Sequence, residues 1–160
     1  MAFGEAASAP APSPAPSPAR IPNAALWLGP LGLIPFVAGA LAPWLLPAER
    51  LPDAGLALAG YGAVILSFLG GVHWGLAAPA GRPLQIGLSV LPSLIGWLAL
   101  LVANLYAPAP ALWLLAAAFA ALLPGDLLAA GRGLAPPWYP RLRLPLTLVA
   151  VACLAVGALA

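Results

Sequence analysis

Polar residues in this chain fall between blocks of apolar ones instead of alternating with them. Five apolar runs stand out, roughly Ala24–Leu46, Ala54–Ala78, Leu84–Tyr106, Ala109–Ala130 and Leu142–Ala160. Within each run the apolar residues cover every face, where a helix lying on a soluble core would show one apolar stripe. A helical span needs about 20 such residues to cross a bilayer, and all five runs meet that length. The pattern predicts an all-α fold, an integral membrane bundle of five transmembrane helices. The short connections make successive helices antiparallel neighbours.

Proline interrupts several runs: Pro30 and Pro35 in the first, Pro92 in the third, Pro124 in the fourth. Each removes a backbone donor and crowds the preceding turn. Kinks are expected at these sites, with the first span bent or split near Pro30 and Pro35. Residues 1–20 differ from the rest. The stretch AASAPAPSPAPSPA has no bulky apolar residue to bury, and its prolines forbid a helix. It reads as a disordered to polyproline-like solvated tether, cytoplasmic in the orientation derived below, ahead of a membrane domain over 21–160. It lacks the basic start and apolar core of a secretory signal.

Composition agrees with lipid as the solvent. Hydrophobic residues make up 63% of the 160 residues and charged residues only 6%, against about 25% in ordinary soluble domains. The net charge of +2 does not point to nucleic acid, because the six arginines lie between runs and form no basic stripe. The single cysteine, Cys153, excludes a disulfide within the chain and reads as a packing residue.

The arginines set an orientation. With five spans, Arg20, Arg82, Arg132, Arg141 and Arg143 share one side, and Arg50 alone lies on the other beside Glu49 and Asp53. The positive-inside rule then places the N-terminus in the cytoplasm and the C-terminus outside. Trp138, Tyr139, Arg141 and Arg143 precede the fifth span and read as an interfacial anchor at headgroup level, with an acidic-lipid or partner clasp as the functional alternative.

Two features concern packing and chemistry. In the second span Ala59, Ala63, Ser67, Gly71 and Gly75 recur every four residues, a ridge of small side chains suited to close helix packing. It is expected at the centre of the bundle, with a homodimer interface as the alternative. His73 and Asp126 are the ionisable residues inside spans, and such residues are costly in lipid. Gln85, Ser89 and Thr147 enter their spans at similar depth. One polar layer near the cytoplasmic face is expected, with Arg82 or Arg143 reaching into it. A His–Asp pair can relay protons; the plainer expectation is that the Asp126 carboxylate caps a helix broken at Pro124. One His and one distant Cys make no metal site, no cofactor motif is present, and no motif names a reaction.

Four segments carry a resemblance: ALWLGPLGLIPFVAGA, YGAVILSFLGGVHWGLA, SVLPSLIGWLALL and WYPRLRLPLTLVA. Together they resemble the transmembrane protein 69-like family of small membrane proteins of unknown function, over roughly residues 21–157. The resemblance implies a multi-span helical protein of an inner membrane and supplies no catalytic residues. Eukaryotic relatives would imply the mitochondrial inner membrane; the Ala/Pro/Leu/Arg-rich composition and the absence of a presequence point to a bacterial inner membrane. The expected role is a structural, assembly or accessory subunit. The alternatives are a small-solute or proton transporter or channel component using His73 and Asp126, and, third, an enzyme working at the membrane.

Overall fold

The computed structural model describes residues 20–160, so the expected tail lies outside the described residues except for Arg20. Seven α-helices follow in order: α1 (Asn23–Leu31), α2 (Ile34–Leu45), α3 (Leu51–Ala77), α4 (Pro83–Leu88), α5 (Leu91–Leu105), α6 (Pro108–Gly131) and α7 (Tyr139–Leu159). Short 3-10 turns, Ala48–Arg50 and Ala78–Ala80, flank α3. Taken with their interruptions, these make five helical units of membrane-spanning length and hydropathy, from Asn23–Leu45 to Tyr139–Leu159.

The prolines explain where helices begin. None of the helix starts has a side-chain cap. Instead α2 through α7 each carry Pro at the first or second position: Pro35, Pro52, Pro83, Pro92, Pro108 and Pro140. The first N–H groups of a helix have no internal partner, so a residue without an N–H costs nothing there, and its fixed φ suits the helix. In a chain almost without Ser, Thr or Asp at its helix starts, proline does the work of a cap.

Two spans are broken in the same way. The first breaks at Gly32–Leu33 and the third at Ser89–Val90, each ending two residues before a proline, Pro35 and Pro92. The break in the first span leaves the Gly32 carbonyl free, and the Tyr61 hydroxyl donates to it at 2.8 Å. Tyr61 is itself held by Phe36, whose ring lies edge-on at 5.1 Å and also meets Phe119 at 5.8 Å. Tyr61→Phe keeps the ring and deletes the donor. It is expected to cost about 1 kcal/mol and to leave helix content unchanged by circular dichroism; an unchanged unfolding midpoint would show that the Gly32 carbonyl does not need Tyr61.

The fourth span departs from expectation. Helix α6 is continuous from Pro108 to Gly131, straight through Pro124, so no broken helix end is there for Asp126 to cap.

Helices α3 and α6 form the middle of the bundle. Helix α3 packs on α2, α5 and α6, while α6 packs on α3, α5 and α7. Helix α2 closes the ring against α7. The core is Phe36, Leu58, Leu66, Leu112, Leu115, Phe119 and Leu154 with alanines between them. Helix α1 has no buried residue; its Trp27 is 73% exposed.

Small residues do allow close approach, but on a face different from the expected one. Ala59 and Ala63 are buried, while Gly71 and Gly75 are exposed, with nothing within 4 Å of a Cβ built on either. A helix turns about 100° per residue, so a four-residue repeat drifts about 40° at each step. Over the four steps from Ala59 to Gly75 the ridge winds most of the way around to the lipid side. The buried line runs instead through Ala59, Gly62, Ala63, Leu66, Gly70 and Ala77. At Gly70 the helices touch backbone to backbone: a Cβ there would lie 2.6 Å from the Ser89 carbonyl oxygen, the group freed by the break in the third span. Gly96 meets the Ala63 carbonyl in the same manner at 3.0 Å.

Candidate functional site

Three helices converge on the carboxylate of Asp126, which is 1% exposed. Helix α3 brings His73, with Nε2 at 2.8 Å from Oδ1. Helix α7 brings two groups: Arg143 Nε donates to Oδ2 at 2.7 Å, and the Tyr139 hydroxyl donates to Oδ1 at 3.1 Å. Tyr139, Arg143 and Thr147 are four residues apart and so form one stripe of α7 facing α6. The Asp126–Arg143 pair balances charge within a buried setting, as an ionised group in lipid requires.

The pairing is not fully saturated. Arg143 engages Asp126 through Nε, and its Nη2 is buried without a hydrogen-bond partner. The Thr147 hydroxyl, 2% exposed and one turn further along α7, is likewise unpartnered. Arg143 thus keeps one donor beyond those that hold the carboxylate.

The expected single polar layer is divided in two by His73. On one side lies the Asp126 cluster. On the other is a cavity of about 420 Å³ lined in part by His73, Gln85 and Ser89. The buried Ser89 hydroxyl donates to Ile86 O at 2.6 Å, within the last turn of α4. Of the two arginines offered for the layer, Arg143 reaches Asp126, while Arg82 reaches only Gln85, with Nη1 donating to Oε1 at 3.5 Å.

The expected interfacial anchor is also divided. Tyr139 and Arg143 are drawn inward to Asp126, whereas Arg141 is exposed and Trp138 half-buried against the edge of the Tyr139 ring at 6.2 Å. The reason is register. Positions 139 and 143 share a helix face with buried Thr147 and Ala150, and position 141 lies on the opposite face. Tyr139 is the group that sequence reasoning did not connect to Asp126, and the spacing of Tyr139, Arg143 and Thr147 carried the signal.

Comparison with known proteins places the chain in a family. The chain is 40% identical to "Transmembrane protein 69" of Xenopus tropicalis in an alignment of 150 residues, covering 86% of this chain and 54% of that protein. It is 34% identical to "Transmembrane protein 69" of Mus musculus over 85 residues, covering 50% of this chain and 34% of that protein. The chain therefore spans about half the length, or less, of the curated relatives it matches. No solved structure matches it. A family model described as "Protein of unknown function (DUF3429)" matches residues 21–159, from the start of the first span to the end of α7. The five membrane-length helices and this match together make the chain a multi-pass membrane protein of the DUF3429 family.

Proposed function

We propose that this chain is a structural, assembly or accessory subunit, a fixed helix bundle rather than a conducting one. The observation that carries the reading is the sealed Asp126 carboxylate, 1% exposed and held by His73, Tyr139 and Arg143 from two other helices. A carboxylate that relays protons must exchange them with water. One that is paired to a guanidinium and shut off from solvent ties helices together instead. The experiment is capture of the full chain from its native membrane in mild detergent, followed by mass spectrometry. A membrane protein recovered in stoichiometric amount is the expected result, and recovery of the chain alone would overturn the accessory reading.

A second reading is favoured by one observation: His73 touches Asp126 and also borders the cavity. A proton or small-solute path would use that junction. Reconstituted vesicles containing a pH-sensitive dye would then acidify in a manner lost with His73→Ala. No difference from protein-free vesicles would remove this alternative.

For location, we infer a bacterial inner membrane with the N-terminus and its tail in the cytoplasm and the C-terminus outside. The composition supports the first part; the Xenopus tropicalis and Mus musculus relatives are animal proteins. The arginine distribution supports the second and is sharpened by pairing. Arg143 is taken up by Asp126, and Arg50 sits 3.6 Å from Asp53. Arg20, Arg82, Arg132 and Arg141 then face no comparable positive charge across the membrane. Alkaline phosphatase fused after Ala160 is expected to be active, since it folds only outside; an inactive fusion with an active cytoplasmic reporter at the same position would reverse the orientation.

A further inference from the structure

The cavity on the far side of His73 changes character along its length. It is bounded by α3, α4, α5 and α6 and has a volume of about 420 Å³, inside the range of roughly 300–1,000 Å³ typical of pockets for small molecules. One end carries Arg132, from the loop after α6, with Gln85 of α4 and His73 of α3. The other end reaches Leu66 and Ile95, inside their helices. From Leu66 to Ala77, where α3 ends, the helix rises about 16 Å, which is about half the thickness of the hydrocarbon core. The cavity therefore runs from the end of the helices towards the middle of the span, polar at its outer end and apolar at its inner one.

Charge is one-sided as well. Arg132 is exposed, and among the described residues no carboxylate pairs with it or lines the cavity. Asp126, the acid nearest in sequence, is taken up by Arg143, His73 and Tyr139. Arg82 donates from Nη1 to Gln85 Oε1 at 3.5 Å and does not line the cavity, which leaves Arg132 as the cation at its mouth. A guanidinium without an acid at the mouth of an apolar slot calls for an anion, and it binds phosphate oxygens well. The slot behind it is mostly leucine, isoleucine and alanine, and its one hydroxyl, Ser89, is already given to Ile86 O, so it offers a water-soluble anion little. A neutral apolar molecule would fill the slot and leave the arginine unanswered.

The geometry points to a binding site for one anionic phospholipid, its phosphate at Arg132 and Gln85 and an acyl chain laid between α5 and α6, over α3, towards Leu66 and Ile95. The site is separate from the Asp126 cluster and stands whether the chain acts as an accessory subunit or a conductor.

The test uses the full chain in an uncharged mild detergent. Phosphatidylglycerol or phosphatidylcholine with identical acyl chains is added, and bound lipid is counted by native mass spectrometry. Phosphatidylglycerol is expected to be retained about fivefold over phosphatidylcholine, the factor expected for one basic side chain acting on an anionic headgroup. Arg132→Gln removes the charge from an exposed position and should bring the two lipids to parity. Ala121→Phe places a ring at the cavity wall and should lower phosphatidylglycerol retention to the phosphatidylcholine level. Thermal unfolding of each variant, unchanged from the parent, shows that the bundle is intact. Equal retention of the two lipids by the parent chain overturns the proposal, as does a preference that survives Arg132→Gln. Oleate separates the sources of the anion: if it displaces phosphatidylglycerol at equal concentration, a fatty acid and not a phospholipid is the ligand, and the assignment fails.

Discussion

Asp126→Asn is expected to destabilise the bundle by about 3 to 5 kcal/mol, the usual consequence of removing one member of a buried ion pair. The cost comes less from the lost attraction than from what remains. Arg143 is 8% exposed and would keep its charge among α3, α6 and α7 with no anion beside it. Its other buried donor, Nη2, already lacks a partner. The effect should be read as a shift in the unfolding midpoint on titration of sodium dodecyl sulfate into the detergent-solubilised protein. A second variant separates charge from packing: Asp126→Asn with Arg143→Met removes both charges and should recover most of the loss. If Asp126→Asn alone unfolds within about 0.5 kcal/mol of the parent, a margin typical of surface substitutions, the carboxylate holds no helices together.

Gly70→Leu should be nearly as damaging, while the same change one residue later should do little. At position 70 even a Cβ would lie 2.6 Å from the Ser89 carbonyl oxygen and 3.3 Å from the Pro92 side chain. Backbone atoms cannot step aside as a flexible side chain does, so α3 and α5 must separate, at a cost of about 1–3 kcal/mol or more. Position 71 faces open space, and Gly71→Leu is expected to leave the unfolding midpoint in place. The pair of variants makes an internal control, because both add the same side chain to the same helix. Equal effects at 70 and 71 would mean that the rotational setting of α3 is wrong. A loss confined to oligomer size with Gly71→Leu would point instead to the dimer face considered from the sequence.

The contrast between these two glycines shows what a sequence of this kind conveys. The five spans were legible because length and hydropathy are properties of whole segments, insensitive to the rotation of a helix about its axis. The breaks near Pro35 and Pro92 were legible because proline acts on its own backbone. His73 and Asp126 were legible because an ionisable group in lipid is expensive wherever it points. What depended on rotation was not read: the inward face of α3, which is a matter of 100° between Gly70 and Gly71, and the destination of Tyr139, while Arg143 stood open between the polar layer and the anchor. Those two residues suit a headgroup anchor as well as they suit a buried acid, so residue type could not decide between the two. The register of Tyr139, Arg143 and Thr147 along α7 was the available evidence. The continuity of α6 through Pro124 follows from packing on α3, α5 and α7, which lies outside the local pattern.

The ring of helices closes between elements that are far apart in time. Helix α7 is the last of the five spans to leave the ribosome, yet it is the partner of both α1 and α2 and the source of the arginine that neutralises Asp126. During synthesis the first span therefore waits in the bilayer with an open flank, and the fourth carries an acid without its cation, until the fifth arrives. A four-span stage of this assembly lacks both the closing contacts of α7 and the partner of Asp126. A chain interrupted before residue 139 would leave an unclosed bundle with an unpaired acid, the kind of intermediate that membrane quality-control proteases remove.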